Sequence, residues 1–194
     1  LGEHFTVVGT HALYAYEAVA GVRIVQGALA TQDVDLLWDA RRRVRFLTDM
    51  TKLDMSVLKV LQLADPSFQR KEGQSETAIN AQGFEIDFLR RQPEGDDPHP
   101  FRFSGDDDDL SPVQAKRASV LTDAKRFEQV VVSVTGRMTV MRTIAPETFV
   151  SFKRWMADEA HDREEAKRRR DRRQAEIVQQ LLDAGLLLTK AGRR

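Results

Sequence analysis

The stretch Asp33-Val34-Asp35-Leu36-Leu37-Trp38 decides how this chain is read. Side chains at i and i+2 of a strand share a face. Asp33 and Asp35 therefore project together, while Val34 and Leu36 turn the other way into a core. Phe84-Glu85-Ile86-Asp87-Phe88 repeats the device, with Phe84, Ile86 and Phe88 inward and Asp87 emerging on the opposite face with Glu85. Two acids on one strand and a third on another converge when the strands are neighbours. Like charges that close repel unless something neutralises them. Hard divalent cations such as Mg²⁺ do so, using carboxylate oxygens and substrate phosphates. Two such ions ~3.5–4 Å apart activate an attacking hydroxyl and stabilise the leaving phosphate, and Mn²⁺ is the alternative metal. The plain alternative is a solvated sheet face bearing Asp33 and Asp35, with Asp87 unrelated to them. Against it, Asp is a poor strand former and both segments are otherwise strongly apolar.

Upstream lies Val7-Val8-Gly9-Thr10-His11-Ala12. A strand running through Gly into a helix start puts free backbone N–H groups and the positive end of the helix dipole at one spot. Gly9 lets a ligand approach the backbone, and the Thr10 hydroxyl either caps the helix or touches a phosphate. Alone, such a turn is a cap. Beside the three acids it reads as a triphosphate cradle next to a metal site.

Val7-Val8-Gly9-Thr10-His11-Ala12-Leu13, Ala30-Thr31-Gln32-Asp33-Val34-Asp35-Leu36 and Phe84 to Phe88, in this order, resemble the signature of the DNA-polymerase-β-type nucleotidyltransferase superfamily. Within it the chain most resembles the minimal, AbiEii-like bacterial branch, in which Thr-x-Asp-x-Asp follows well after the glycine turn. Gly9-Thr10 departs from the commoner Gly-Ser or Gly-Gly but keeps a hydroxyl. The resemblance implies two-metal transfer of a nucleotide from an NTP to a hydroxyl with release of pyrophosphate. Asp33, Asp35 and Asp87 would be the metal-binding and catalytic residues. In the toxin-like branch the acceptor would be a tRNA end, another RNA or a protein hydroxyl, with an antitoxin as cognate partner.

Outward from these motifs, Phe5 to Val8 reads as a short buried strand. Residues Thr10 to Ala20 read as a helix stopped by Gly21. Arg41 to Leu47 and Lys52 to Leu63 are helical in pattern, and the second closes at Asp65-Pro66. Glu76 to Asn80 and Phe84 to Leu89 form a hairpin around Ala81-Gln82-Gly83. Pro93 to Pro112 is an aperiodic loop. A second hairpin joins Gln129 to Val134 with Met138 to Ile144. Pro146 suits the first turn of a helix from Glu147 to Asp158, and a long helix runs from Asp162 to Ala184. The fold class expected is α+β, or mixed α/β: a mixed sheet flanked by helices with a C-terminal helical part. A core domain over residues 1–144 and a helical part over 145–194 that completes the site are the expected domains.

Two tail helices carry charge where apolar residues belong. Phe149, Lys153 and Met156 share one stripe, so Lys153 lies on the buried side. The apolar stripe of the last helix, Val178, Leu181 and Leu182, projects backwards through Gln174, Asp171 and Lys167, with Arg163 and Arg170 at its edge. Burying such charges without partners costs several kcal/mol each, so partners or a phosphate ligand are expected. The resembling branch carries a Lys and then a basic–Asp cluster on its C-terminal helices. By that resemblance Lys153 and Lys167 would reach phosphates and Asp171 would orient them, joining Gly9 and Thr10 as nucleotide-binding residues. Arg168, Arg169, Arg172 and Arg173 read as a solvated face with Glu164–Arg168 and Glu165–Arg169 pairs, or as a guide for RNA.

Composition narrows the field less. Apolar residues make up 41% of the 194 and charged residues 31%, enough for a packed core. Lys plus Arg and Asp plus Glu are both 30, so net charge points to no partner. With 0 Cys, disulfides, thiolate metal sites and cysteine nucleophiles are excluded, and a reducing cytoplasm is the expected compartment. No apolar run approaches the ~18 residues that span a bilayer, and no signal peptide pattern precedes the first strand. The chain opens at Leu1 with a strand almost at once, so a preceding segment is expected to be missing. Asp106 to Asp109 lacks the glycine and terminal Glu of a calcium loop and reads as a mobile acidic loop. His4, His11, His99 and His161 show no metal-ligand spacing. Trp38 and Trp155 read as core or core-edge residues. A catalytically inactive nucleotidyltransferase-like module that binds nucleic acid or a protein is the competing function, but a degenerate copy tends to lose an acid first. A DNA-binding regulator using the basic last helix is a weaker third.

Overall fold

In the computed structural model residues 2–29, 31–97 and 101–187 are described; His99 and the middle of the loop expected between Pro93 and Pro112 lie outside them. The elements in chain order are β1 (Phe5–Val8), a 3₁₀ turn (Gly9–His11), α1 (Ala12–Ala20), α2 (Gln26–Leu29), β2 (Asp33–Trp38), a 3₁₀ turn (Ala40–Arg42), α3 (Arg43–Leu53) and α4 (Val57–Ala64). There follow β3 (Gln69–Arg70), β4 (Thr77–Ile79), β5 (Glu85–Arg90), β6 (Val113–Gln114), α5 (Ala118–Thr122), β7 (Arg126–Val132), β8 (Met138–Ile144), α6 (Pro146–Asp158) and α7 (Glu165–Asp183). The architecture is mixed α+β, and its contacts divide into two compact units.

One unit consists of Leu1–Val8 and Thr31–Thr122. Its sheet has the order β1-β2-β5-β4-β3, with β6 pairing the far end of β5. β2 and β5 run parallel, and β1 lies antiparallel to β2. Alternation works as the sequence requires. Trp38, Ile86 and Phe88 are buried in the core, Val34, Leu36 and Phe84 pack against it, and Phe46 and Met50 of α3 and Val57 of α4 close it from above. Where one helix was expected to end at Leu47 and the next to begin at Lys52, α3 runs on to Leu53. Asp54 then closes it in the left-handed region (φ 49°), and Ser56 caps α4 by accepting from the Lys59 N–H at 3.2 Å.

The loop around residues 101–112 departs most from expectation. It carries Phe101, Phe103 and Leu110 into the core, and Phe101 stacks on Trp38 with ring centroids 4.2 Å apart. Its acidic run is also tied down. Asp109 is buried; its Oδ1 accepts from the Leu58 N–H at 2.9 Å, and its Oδ2 from the Val57 N–H at 3.2 Å and the Ser104 hydroxyl at 2.7 Å. A carboxylate at a helix start satisfies donors that have no partner inside the helix. Asp106 meets Lys59 at 3.8 Å, Asp108 meets Arg70 at 3.8 Å, and Asp107 pairs with Arg102. The expected mobile acidic loop is therefore a helix cap and a strap of ion pairs.

The second unit gathers Gly9–Ala30 and Asp123–Arg194. Gly21 ends α1 in the left-handed region (φ 66°), its N–H donating to the Glu17 carbonyl at 2.9 Å. The β7–β8 hairpin pairs Val130 with Val140. Tyr16 of α1 packs edge-on against Phe127 and Phe149, and its hydroxyl donates to the Ile144 carbonyl at 2.8 Å. Burial pushes the Tyr16 hydroxyl far above its usual pKa, so it stays a donor. Pro146 opens α6 as expected. No helix among the described residues is long and apolar enough to cross a membrane.

Candidate active site

Parallel register places Asp35 directly opposite Asp87, and Asp33 opposite Glu85. Directly opposed residues of neighbouring strands share a face. Asp33, Asp35 and Asp87 offer carboxylate oxygens that all lie within 4.8 Å of one another. At the effective dielectric near a protein surface, each such pair of full charges repels by roughly 3–4 kcal/mol. Burial lifts the Asp87 carboxyl above its usual range; the Thr77 hydroxyl, donating to Oδ1 at 2.6 Å, opposes this, and Glu85, Asp33 and Glu76 add to it. Thr31 donates its hydroxyl to Asp33. Glu85 is spoken for by Lys71, 2.7 Å away. Neither Asp33 nor Asp87 forms an ion pair with any described residue. Three half-buried carboxylates, two of them with hydroxyl donors, form a hard, all-oxygen set that suits a divalent cation such as Mg²⁺ or Mn²⁺.

Thr77 was not singled out by the sequence reading, because its place opposite Asp87 depends on the register of β4 against β5. Thr31 sits two residues before Asp33, inside the motif already quoted. A second cluster also went unseen: Glu3, His4 and Asp49 lie within ligand reach of one another. There the His4 Nε2 and Asp49 Oδ2 are 2.9 Å apart, while Arg45 meets Glu3 at 2.8 Å and Lys52 meets Asp49 at 3.6 Å. These contacts already balance its acids.

In the second unit, Gly9 adopts φ 66°, a value that favours glycine, and Thr10 is buried. The Thr10 Oγ1 accepts from Gln174 Nε2 at 3.1 Å. Lys153 is buried, as its place on the α6 stripe requires, and donates to Asp171 Oδ1 at 2.7 Å. The other oxygen of Asp171 takes Arg163 Nε at 2.6 Å. The buried stripe of α7 continues back through Gln174 to Asp171 and stops there: Lys167 is exposed, with Glu164 3.9 Å away. Arg163 is thus the second cation on Asp171. The expected Glu164–Arg168 and Glu165–Arg169 pairs give way to Arg168–Glu165 at 3.6 Å, and Arg168 Nε caps α6 by donating to the Ala157 carbonyl at 2.7 Å.

Among known proteins, no curated protein and no solved structure matches the chain. The model of a family described as Nucleotidyltransferase matches residues 1–191. A match over nearly the whole length, on a mixed sheet whose β2 and β5 bring three acids together, is decisive: the chain belongs to this nucleotidyltransferase family.

Proposed function

We propose that the protein transfers a nucleotide from an NTP to a hydroxyl of an RNA acceptor, a tRNA end foremost, with release of pyrophosphate. Asp33, Asp35 and Asp87 hold the divalent metal, two Mg²⁺ ions in this reading. When bound, the metal supplies charge neutralisation for the triphosphate and a more acidic acceptor hydroxyl. The acceptor oxygen bonds the α-phosphorus as the bond from that phosphorus to the β-phosphate bridging oxygen breaks. Gly9 and Thr10 meet substrate phosphate through the backbone and a hydroxyl. Lys153 and Lys167 contribute positive charge toward phosphates, with Asp171 fixing Lys153 and Arg163. The observation that carries the reading is the convergence of three carboxylates from β2 and β5 in a chain of this family.

Incubation with Mg²⁺, each labelled NTP in turn and total RNA should label one RNA species, and Asp33→Ala should reduce the rate on the order of a thousandfold. Label appearing only in protein when lysate is supplied would move the acceptor to a protein hydroxyl. No NTP binding and no label from the wild type would leave the inactive binding module in its place. If the chain acts as a toxin, its expression without an antitoxin should arrest growth and that of Asp33→Ala should not.

A further inference from the structure

Gln174 is a fully buried amide whose two N–H donors are both spent. One goes to the Ala28 carbonyl at 2.6 Å and the other to Thr10 Oγ1 at 3.1 Å. The Ala28 oxygen can only accept, which fixes the amide with its nitrogen toward α2 and the Thr10 turn. Thr10 therefore receives a hydrogen from Gln174 and keeps its own. Among the described residues nothing accepts that hydrogen, although Thr10 is only 5% exposed. A buried hydroxyl with an unspent donor is costly to leave so, and the turn in question follows a glycine at φ 66° at the head of α1.

We infer that Gln174 is a positioning residue: by donating to Thr10 Oγ1 it turns the threonine hydrogen outward, as a donor to an anionic phosphate oxygen of the NTP. This rests on the transferase reading above. Had the residue been Glu, the carboxylate would accept the Thr10 hydrogen and turn the donor away. Among the described residues the Gln174 Oε1 has no hydrogen-bond partner, so the amide is held for what its nitrogen gives.

The test is a double-mutant cycle read by equilibrium binding of ATP, GTP, CTP and UTP, each with Mg²⁺, and by KM in turnover. Thr10→Val and Gln174→Met should each weaken binding of the preferred NTP by about tenfold, the scale of one hydrogen bond to a charged group. The double variant should be no weaker than Thr10→Val, because Gln174 acts only through that hydroxyl. Thr10→Ser should bind as the wild type does. Losses that multiply to about a hundredfold in the double variant, or a folded Gln174→Met with wild-type affinity, would overturn the assignment. If Gln174→Met does not fold, the isosteric Gln174→Glu reads the same contact, and wild-type affinity there would overturn it equally. A wild type that binds none of the four nucleotides sinks the transferase reading first, which is a different result from normal binding that ignores Gln174.

Discussion

Burial lifts the Asp87 carboxyl, Glu85, Asp33 and Glu76 push it further, and the Thr77 hydroxyl only partly offsets them. The sign of the consequence is fixed. A carboxyl whose pKa is raised by folding favours the protonated form in the folded state. Its contribution is favourable below the ordinary carboxylate range and is lost as pH rises through the raised value. With metal chelated, Asp87→Asn should therefore melt at a higher temperature than wild type near neutral pH, and the gap should close in acid. Adding Mg²⁺ should raise the wild-type midpoint and leave that of Asp87→Asn nearly unmoved. Thermal denaturation with chelator and with Mg²⁺ at two pH values checks both. At this scale the sequence was informative about which side chains carry charge on which face, because alternation on a strand is a local rule. It was silent on Thr77, whose place opposite Asp87 depends on the exact register of β4 against β5. It put Arg163 beside the Asp171 stripe without pairing the two, because Arg163 precedes α7 and lies outside its helical repeat.

Element by element, the strands and hairpins were legible because Gly, Pro and alternating apolar residues act within a few positions. Boundaries were less so. The Asp54 to Ser56 break lies after an α3 that runs past Lys52, and it depends on a left-handed Asp and a serine cap rather than on periodicity. The loop around residues 101–112 was misread for a different reason: Phe101 and Phe103 have no period, and their partner Trp38 is some sixty residues earlier. Asp109 shows the energetic weight of such a loop. Asp109→Ala removes a carboxylate that accepts from the Val57 and Leu58 N–H groups and from Ser104. It should cost about 1–3 kcal/mol, the combined scale of a lost helix cap and stranded buried donors. Chemical denaturation measures this. A loop that merely repelled itself would instead gain stability on losing one of its acids.

Over the whole chain, equal numbers of acids and bases conceal a segregated pattern. Three acids gather at β2 and β5, with no ion-pair partner for Asp33 or Asp87 among the described residues, while Lys153 and Arg163 both pair with Asp171 in the second unit. The parallel pairing of β2 with β5 is what the sequence alone could not supply, because no short-range signal selects one strand partner or its register. With Asp35 opposite Asp87, three carboxylates crowd within 4.8 Å of one another, a repulsion that a divalent cation would relieve. Crystals soaked with Mn²⁺ and a non-hydrolysable NTP analogue test this most directly through the anomalous signal of manganese. The account predicts density for the ion between Asp33, Asp35 and Asp87, absent from Asp33→Asn crystals. Manganese seated at Glu3, His4 and Asp49 while the three aspartates bind none would contradict it.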